Sequence, residues 1–517
     1  MTVALHPKDQ TIRTALESGA RNHPDREFAL FPETGYRSTW AEMAFAAQST
    51  AARLTALGLA PGEAVGVLAP NSKTTLELFL GSMFGGFIVT IFNPLSGQAQ
   101  LNYVVDHSEV RVLFVSEDYL ELGRSAVEAC SRAITLIHND PPDWQVEASK
   151  QALHEPCPDD AALLIYTSGT TGLPKGVLHS HASLLAGGAN TANAHQLTVD
   201  DRALCVLSLC HINGQVVTVM APLVSGSSVV MPSRFSASQF WNWVADYGCT
   251  WFSAVPTILS YLVQGDELDS PPGKRFSRLR FGRSASAPLP PALLESFVTR
   301  FQIPIVETMG ITETAAQILS NPLDPARQQV GSPGIPWGNA VRIANDSGVV
   351  QDTGQEGEIQ VQGPNVMLGY FKNEAVTRES FTSDNWYRTG DLGWMNEDGY
   401  FFVTGRRKEF IIKGGENISP REIDDVLYSH PAVLEAAAVA VPDSNYGQEI
   451  AACVVAKPGA SVTIDELQAF CAVRLGAYKS PAMIRFLQQL PKGPSGKIQR
   501  LQLVEHFTQA KQTSTSS

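Results

Sequence analysis

Ala161-Ala-Leu-Leu-Ile165 runs directly into Tyr166-Thr-Ser-Gly-Thr-Thr-Gly-Leu-Pro-Lys-Gly-Val177, an apolar strand candidate followed by a loop dense in hydroxyls and glycine. Gly169 and Gly172 permit close backbone approach to a ligand. Thr167, Ser168, Thr170 and Thr171 supply hydroxyl donors, and Lys175 supplies a positive charge. Such a loop suits a polyphosphate. A Walker A loop needs Gly immediately before its Lys and Ser or Thr after it. Here Pro174 precedes Lys175 and Gly176 follows, which disfavours a P-loop NTPase.

Outward from this strand, the preceding chain alternates helix and strand signals. Apolar residues recur at helical spacing over 39–57, a glycine-rich turn follows, and 64–68 is a short apolar run. Asn71 and Ser72 are candidate caps for the next helix, with buried strands expected over 87–92 and 110–115. The apolar stretch 78–92 falls short of a hydrocarbon span if helical and contains Gly81, Gly85 and Gly86, so it reads as a buried helix passing into a strand. The alternation predicts an α/β fold with largely parallel sheets. Over 341–361 alternating Val and Ile with Gly and Asp turns predict antiparallel strands or a small barrel. Beyond Arg406, a helix over 420–429 and a strand over 436–441 predict a compact α+β lid, giving expected domains of 1–407 and 408–517.

Bulk properties narrow the function. At 517 residues the chain holds about two to four structural units. Hydrophobic residues at 44% and charged ones at 17% disfavour a disordered or fibrous chain. A net charge of −13 opposes general phosphate-backbone binding, so no nucleic-acid partner is expected. Seven scattered cysteines and no secretory signal make reduced thiols in the cytoplasm the default. Cys205, Cys210 and His211 lack a second Cys/His pair to complete a metal site.

The phosphate loop resembles the signature Tyr-Thr-Ser-Gly-Thr-Thr-Gly-x-Pro-Lys-Gly of the adenylate-forming superfamily, which comprises acyl-CoA synthetases, peptide-synthetase adenylation domains and beetle luciferases. The resemblance continues in order through nearly the whole chain. Gly282-Arg-Ser-Ala-Ser-Ala-Pro-Leu289 is similar to the segment bordering adenine, which implies that Ala285, Ser286 and Ala287 pass the base. Glu307-Thr-Met-Gly-Ile-Thr-Glu313 resembles Tyr-Gly-x-Thr-Glu; this implies nucleotide contacts from Glu307, Thr308, Met309 and Gly310, an α-phosphate contact from Thr312 and a magnesium ligand in Glu313. Met309 stands where most relatives carry an aromatic ring, and its polarisable sulfur can cover the base instead. Trp386-Tyr-Arg-Thr-Gly-Asp-Leu-Gly393 implies that Asp391 binds the ribose hydroxyls. Gly405-Arg-Arg-Lys-Glu-Phe-Ile-Ile-Lys-Gly-Gly-Glu-Asn-Ile418 implies a ribose and phosphate contact at Arg406, a hinge at Lys408 and a coenzyme A face at Gly414 and Gly415. Pro491-Lys-Gly-Pro-Ser-Gly-Lys-Ile-Gln-Arg500 implies a catalytic lysine at Lys497.

The implied reaction is activation of a carboxylic acid by ATP and magnesium as an acyl-adenylate, followed by transfer to coenzyme A. Two anions must meet in the first step, so charge neutralisation and alignment are what it demands. His211, in Leu207-Ser-Leu-Cys-His-Ile-Asn-Gly214, matches the family histidine near the acyl pocket and tunnel mouth. The candidate pocket of Ile212, Asn213, Gly214, Val216, Ser284, Met309 and Trp337 is mostly apolar. With no evident buried Arg or Lys for a second carboxylate, it favours an apolar aliphatic or aryl monocarboxylate. The sequence leaves open loading of an acyl carrier protein, a non-catalytic nucleotide-binding protein, and a homodimer.

Overall fold

Thr39 starts the first long helix, Trp40–Ala56, through a reciprocal cap. Its hydroxyl accepts from the Glu42 amide at 3.2 Å, and the Glu42 carboxylate accepts from the Thr39 amide at 2.8 Å. Ser72 caps the next helix, Lys73–Phe84. Asn71 does other work: its amide donates to the Leu207 carbonyl at 3.0 Å and its Oδ1 accepts from the Leu209 amide at 2.8 Å. Helix Lys73–Phe84 is apolar on most faces, and all of 78–84 is buried, as an all-round hydrophobic helix requires. Gly81 lets it lie against the first helix, since a Cβ there would stand 2.5 Å from the Thr50 Cβ.

The computed structural model describes residues 10–140, 144, 146–167, 173–265, 273–493 and 498–508, and these form four sheets. One has the order Gly369–Tyr370, Lys175–Ser180, Ala161–Thr167, Ile88–Ile91, Ala64–Leu68, Val110–Val115, Thr135–His138. Its centre is parallel. A second carries the parallel run Ile305–Ile311, Phe281–Ser284, Trp251–Ala254, Arg202–Cys205, Ser228–Val230, Glu27–Phe31, with antiparallel strands at both edges. Helix His181–Ala194 belongs to the core shared by both sheets. Gly187 and Gly188 bring it so close that added Cβ atoms would meet the Ala315 carbonyl at 2.2 Å and the Met220 backbone at 2.8 Å.

The segment expected to be antiparallel strands or a barrel forms Ala340–Ala344 and Gly357–Gln362, which join Tyr387–Met395 and Phe401–Arg406 in an open four-stranded antiparallel sheet. No closed barrel occurs among the described residues. The chain then builds a small domain with its own apolar core around Ile411, Leu427, Val454 and Leu467. Its helix Pro420–Tyr428 and long hairpin Val433–Asp443/Gly447–Ala456 fall where the sequence predicted helix and strand. No described helix is long and apolar enough to cross a membrane.

Candidate active site

Strand alternation in the hairpin Ala161–Thr167/Lys175–Ser180 sets Thr167 opposite Lys175. Ser168, Gly169, Thr170, Thr171 and Gly172 lie outside the described residues. Lys175 Nζ stands 5.1 Å from the centroid of the Tyr370 ring. The Tyr370 hydroxyl donates to Glu313 Oε1 at 2.9 Å and lies 3.2 Å from the Tyr387 hydroxyl. Burial and the Glu313 carboxylate both raise the Tyr370 pKa, so the phenol keeps its proton and remains a donor. Tyr370 thus joins the lysine and the carboxylate that the sequence proposed separately.

Thr312 is held from behind. The His179 Nε2–H donates to the Thr312 carbonyl at 2.7 Å, and Nδ1 lies 3.0 Å from the Ser183 hydroxyl. Burial lowers the His179 pKa to about 4, so the imidazole is neutral and the carbonyl assigns its proton to Nε2. Gly310 is required by the adjoining strand: a Cβ there would stand 1.8 Å from the Ala316 carbonyl.

In the adenine segment, Ser286 takes φ +71°, a left-handed conformation uncommon for a non-glycine residue. The segment is anchored by the Ala285 amide to the Ala254 carbonyl at 3.1 Å and by the Thr308 hydroxyl to the Ser284 carbonyl at 3.1 Å. Glu307 accepts from the Leu289 amide at 3.1 Å, and burial pushes its carboxyl up to about 7.

Asp391 and Arg406 are direct cross-strand partners, with Arg406 Nε donating to Asp391 Oδ1 at 2.9 Å. Asp391 and then, after the opposing effect of burial, Glu313 hold the Arg406 guanidinium firmly charged. Both residues line a cleft of about 210 Å³ with Ser286 and Met309. Its far wall comes from the small domain and includes Arg421, Asp424, Ile498 and Arg500. Lys497 lies outside the described residues, but Lys492, Gly493 and the chain from Ile498 onward are described. Lys492 and Ile498 form an antiparallel bridge. Arg500 donates to the Ala438 carbonyl at 2.7 Å and pairs with Asp424, while its Nε lies 3.6 Å from Glu409. Ile498 and Arg500, which follow Lys497 in the chain, line the cleft.

Other predicted residues lie elsewhere. Lys408 sits exposed in the short 3-10 turn Arg407–Glu409 between the two domains. Gly414 and Gly415 form the exposed tip of the hairpin Ile411–Lys413/Glu416–Ile418 and do not line the cleft. Lys413, beneath that tip, is buried and paired with Glu449 at 2.6 Å.

Around the acyl region, His211 is half-buried just ahead of a π-helical stretch, Asn213–Met220, which contains Asn213, Gly214 and Val216. Ile212 packs partly buried against the main core. Trp337 is half-buried, its indole N–H donating to the Ser320 carbonyl at 3.3 Å. Ser284 is fully buried, with no hydrogen-bond partner for its hydroxyl among the described residues.

Next to Ser284, Arg283 is 1% exposed. Its Nη1 donates to the neutral Ser253 hydroxyl at 3.1 Å and to Asn213 Oδ1 at 3.4 Å. Its Nε has no hydrogen-bond partner among the described residues. Burial lowers the guanidinium pKa to about 9. Arg283 is thus a buried arginine beside Ser284 and bonded to Asn213, two of the residues assigned to the acyl pocket, where the sequence showed no evident buried Arg or Lys. Arg283 lay inside a quoted motif. A charge on a strand that otherwise reads as buried is the signal that could have found it.

The model of the AMP-binding enzyme family matches residues 16–371, and that of the AMP-binding enzyme C-terminal domain matches 422–497. Sulfoacetate–CoA ligase of Cupriavidus necator is 47% identical over 96% of this chain and 98% of its own length. Oxalate–CoA ligase of Arabidopsis thaliana is 34% identical over 96% of this chain and 98% of its own. The crystal structure of ATP-bound MatB from Rhodopseudomonas palustris superposes with a TM-score of 0.88 at 26% identity, covering 96% of this chain and 99% of that one. The chain belongs to the AMP-binding enzyme family, in the adenylate-forming superfamily of acid–thiol ligases.

Proposed function

We propose that this protein converts ATP, a carboxylic acid and coenzyme A to acyl-CoA, AMP and diphosphate through an acyl-adenylate. The observation that carries this reading is the convergence on one cleft of the adenine segment, the Asp391–Arg406 pair and the residues Ile498 and Arg500 that follow Lys497.

In the first half-reaction the acid's carboxylate oxygen attacks the α-phosphorus, forming the acyl–phosphate bond while the bond to diphosphate breaks. The two anions repel, so positive charge must bracket them. Lys497 would bridge the carboxylate and the α-phosphate. Arg406 would face ribose and phosphate, with Asp391 accepting from the ribose hydroxyls. Lys175 and the loop from Thr167 would hold the departing phosphates. Magnesium fits here through Glu313, since the ion takes one or two protein carboxylates and fills its remaining positions with phosphates and water. It would neutralise phosphate charge.

In the second half a thiolate attacks the acyl carbonyl and AMP leaves. Gly414 and Gly415 lie off the cleft in the arrangement with Arg500 lining it. We assign residues 408–517 to a lid that turns about Lys408, withdrawing Lys497 and bringing the glycine tip to the tunnel beside His211.

The test is pyrophosphate release across a panel of acids with ATP and magnesium, with and without coenzyme A, followed by mass detection of the thioester. Acid-dependent release with an acyl-CoA product is expected. Release without that product would replace coenzyme A by a carrier-protein thiol, and no release with any acid would overturn the ligase reading.

A further inference from the structure

Strand Phe281–Ser284 lies between Trp251–Ala254 and Ile305–Ile311 in the parallel sheet and runs on to Ser286, which lines the nucleotide cleft. Alternation places Arg283 on the face that also carries Phe281, whose ring packs against Trp251 and His195 at 5.9 and 5.1 Å. Nothing on this face offsets the charge. His195 is fully buried and neutral, and both its ring nitrogens lack partners among the described residues. Asn213 and Ser253 supply only neutral oxygens and bond one another at 2.8 Å.

A guanidinium buried among neutral partners is uncommon, because buried charges are paired or neutralised. Its setting explains the exception. Asn213 follows His211 by two residues, and Ser286 of the nucleotide cleft follows Arg283 by three, so the bond between Nη1 and Asn213 ties the acyl loop to the adenine segment. On the ligase reading, an activated acid would extend from its reacting carboxylate toward the junction of these two segments. An anionic group arriving there would supply the missing counter-charge, and the planar fork of arginine suits carboxylate and sulfonate alike.

Resting on the ligase reading, we infer that Arg283, positioned by Asn213 and Ser253, is a specificity site for a second acidic group on the substrate. The substrate is then a short acid carrying a second carboxylate or a sulfonate. Both relatives named above take acids of this kind, sulfoacetate and oxalate.

The experiment compares acid-dependent pyrophosphate release for sulfoacetate, malonate and oxalate with that for acetate, hexanoate and benzoate, in the wild type, Arg283→Met and Arg283→Lys. The wild type is expected to favour two-acid substrates by about 100-fold or more in kcat/KM. Arg283→Met should collapse that ratio mainly through KM, and Arg283→Lys should restore part of it. The sulfoacetate and malonate arms distinguish sulfonate from carboxylate. A wild-type preference for hexanoate or benzoate overturns the inference while leaving the ligase reading intact, as does an unchanged ratio in Arg283→Met. If no acid supports release, the ligase reading fails, and thermal shift decides the subsite. Stabilisation by malonate beyond that by acetate, lost in Arg283→Lys or Arg283→Met, upholds it, and equal stabilisation sinks it. AMP-induced stabilisation reports whether each variant is folded.

Discussion

Arg406, which lines the cleft, and Arg283, three residues before the cleft residue Ser286, are two guanidinium groups whose surroundings differ in kind. Arg406 meets a carboxylate directly across the strand pair, and its charge is reinforced. Arg283 meets two neutral oxygens and is pushed toward losing its proton. The Arg406 charge is therefore balanced by a carboxylate of the chain, whereas Arg283 has only neutral partners among the described residues. ATP is the invariant substrate of such a ligase, so its wall can be finished in advance. The acids named for the relatives differ, and on our inference the counter-charge of Arg283 comes with the acid.

The largest expected effect tests the group that both walls serve. Lys497→Ala should reduce adenylation by about 1000-fold, as loss of a charge-stabilising group does. Thioester formation from supplied acyl-adenylate should largely survive. Single-turnover assays of each half separate these outcomes, and equal loss in both would remove Lys497 from its assigned role.

Asp391→Asn attacks the finished wall. It should raise the KM for ATP by about 100-fold, because it weakens the ribose acceptor and leaves Arg406 without its counter-charge. An ATP KM that stays put while melting temperature falls would make the pair a structural brace only.

The comparison itself is sharpened by replacing each arginine with Met and measuring melting temperature. Removing an unpaired buried charge is stabilising or neutral, whereas removing Arg406, whose side chain is 34% exposed, leaves the Asp391 carboxylate unpaired and costs about 1–2 kcal/mol. At about 2–4 °C per kcal/mol for larger chains, the two variants should differ by more than about 2 °C, with Arg283→Met the more stable. The reverse order would break the contrast.

The smallest effect concerns Glu307. Burial raises its native pKa to about 7, so the native state binds this proton more tightly than the unfolded chain does. The stability it contributes is full below the ordinary carboxylate range and is lost as pH rises through about 7. Glu307→Gln keeps the acceptor for the Leu289 amide and removes the titration. The melting temperature of the wild type relative to the variant should fall by about 2–4 °C from pH 6 to pH 8. A constant difference across that range would rule out a buried, protonated Glu307.

Much of the architecture was legible in the chain. Strands Ala64–Leu68 and Val110–Val115 and helices Trp40–Ala56 and Pro420–Tyr428 formed close to where periodicity and caps placed them. Local pattern decides such elements, because hydrophobic spacing and capping act within a few residues. Asn71 shows where this fails: it reads as a cap, yet it clasps a loop 136 and 138 residues away.

The sequence by itself determined the family, through contiguous motifs to which phosphate, adenine, ribose and hinge roles are proposed. Tertiary structure alone decided how these groups are partnered. Tyr370 links Lys175 to Glu313, His179 fixes Thr312 from another strand, and Arg283 lies buried without a carboxylate. The physical reason is that a side chain's charge and donor state depend on burial and on neighbours distant in sequence. Motifs therefore name the chemistry, while packing sets its electrostatics.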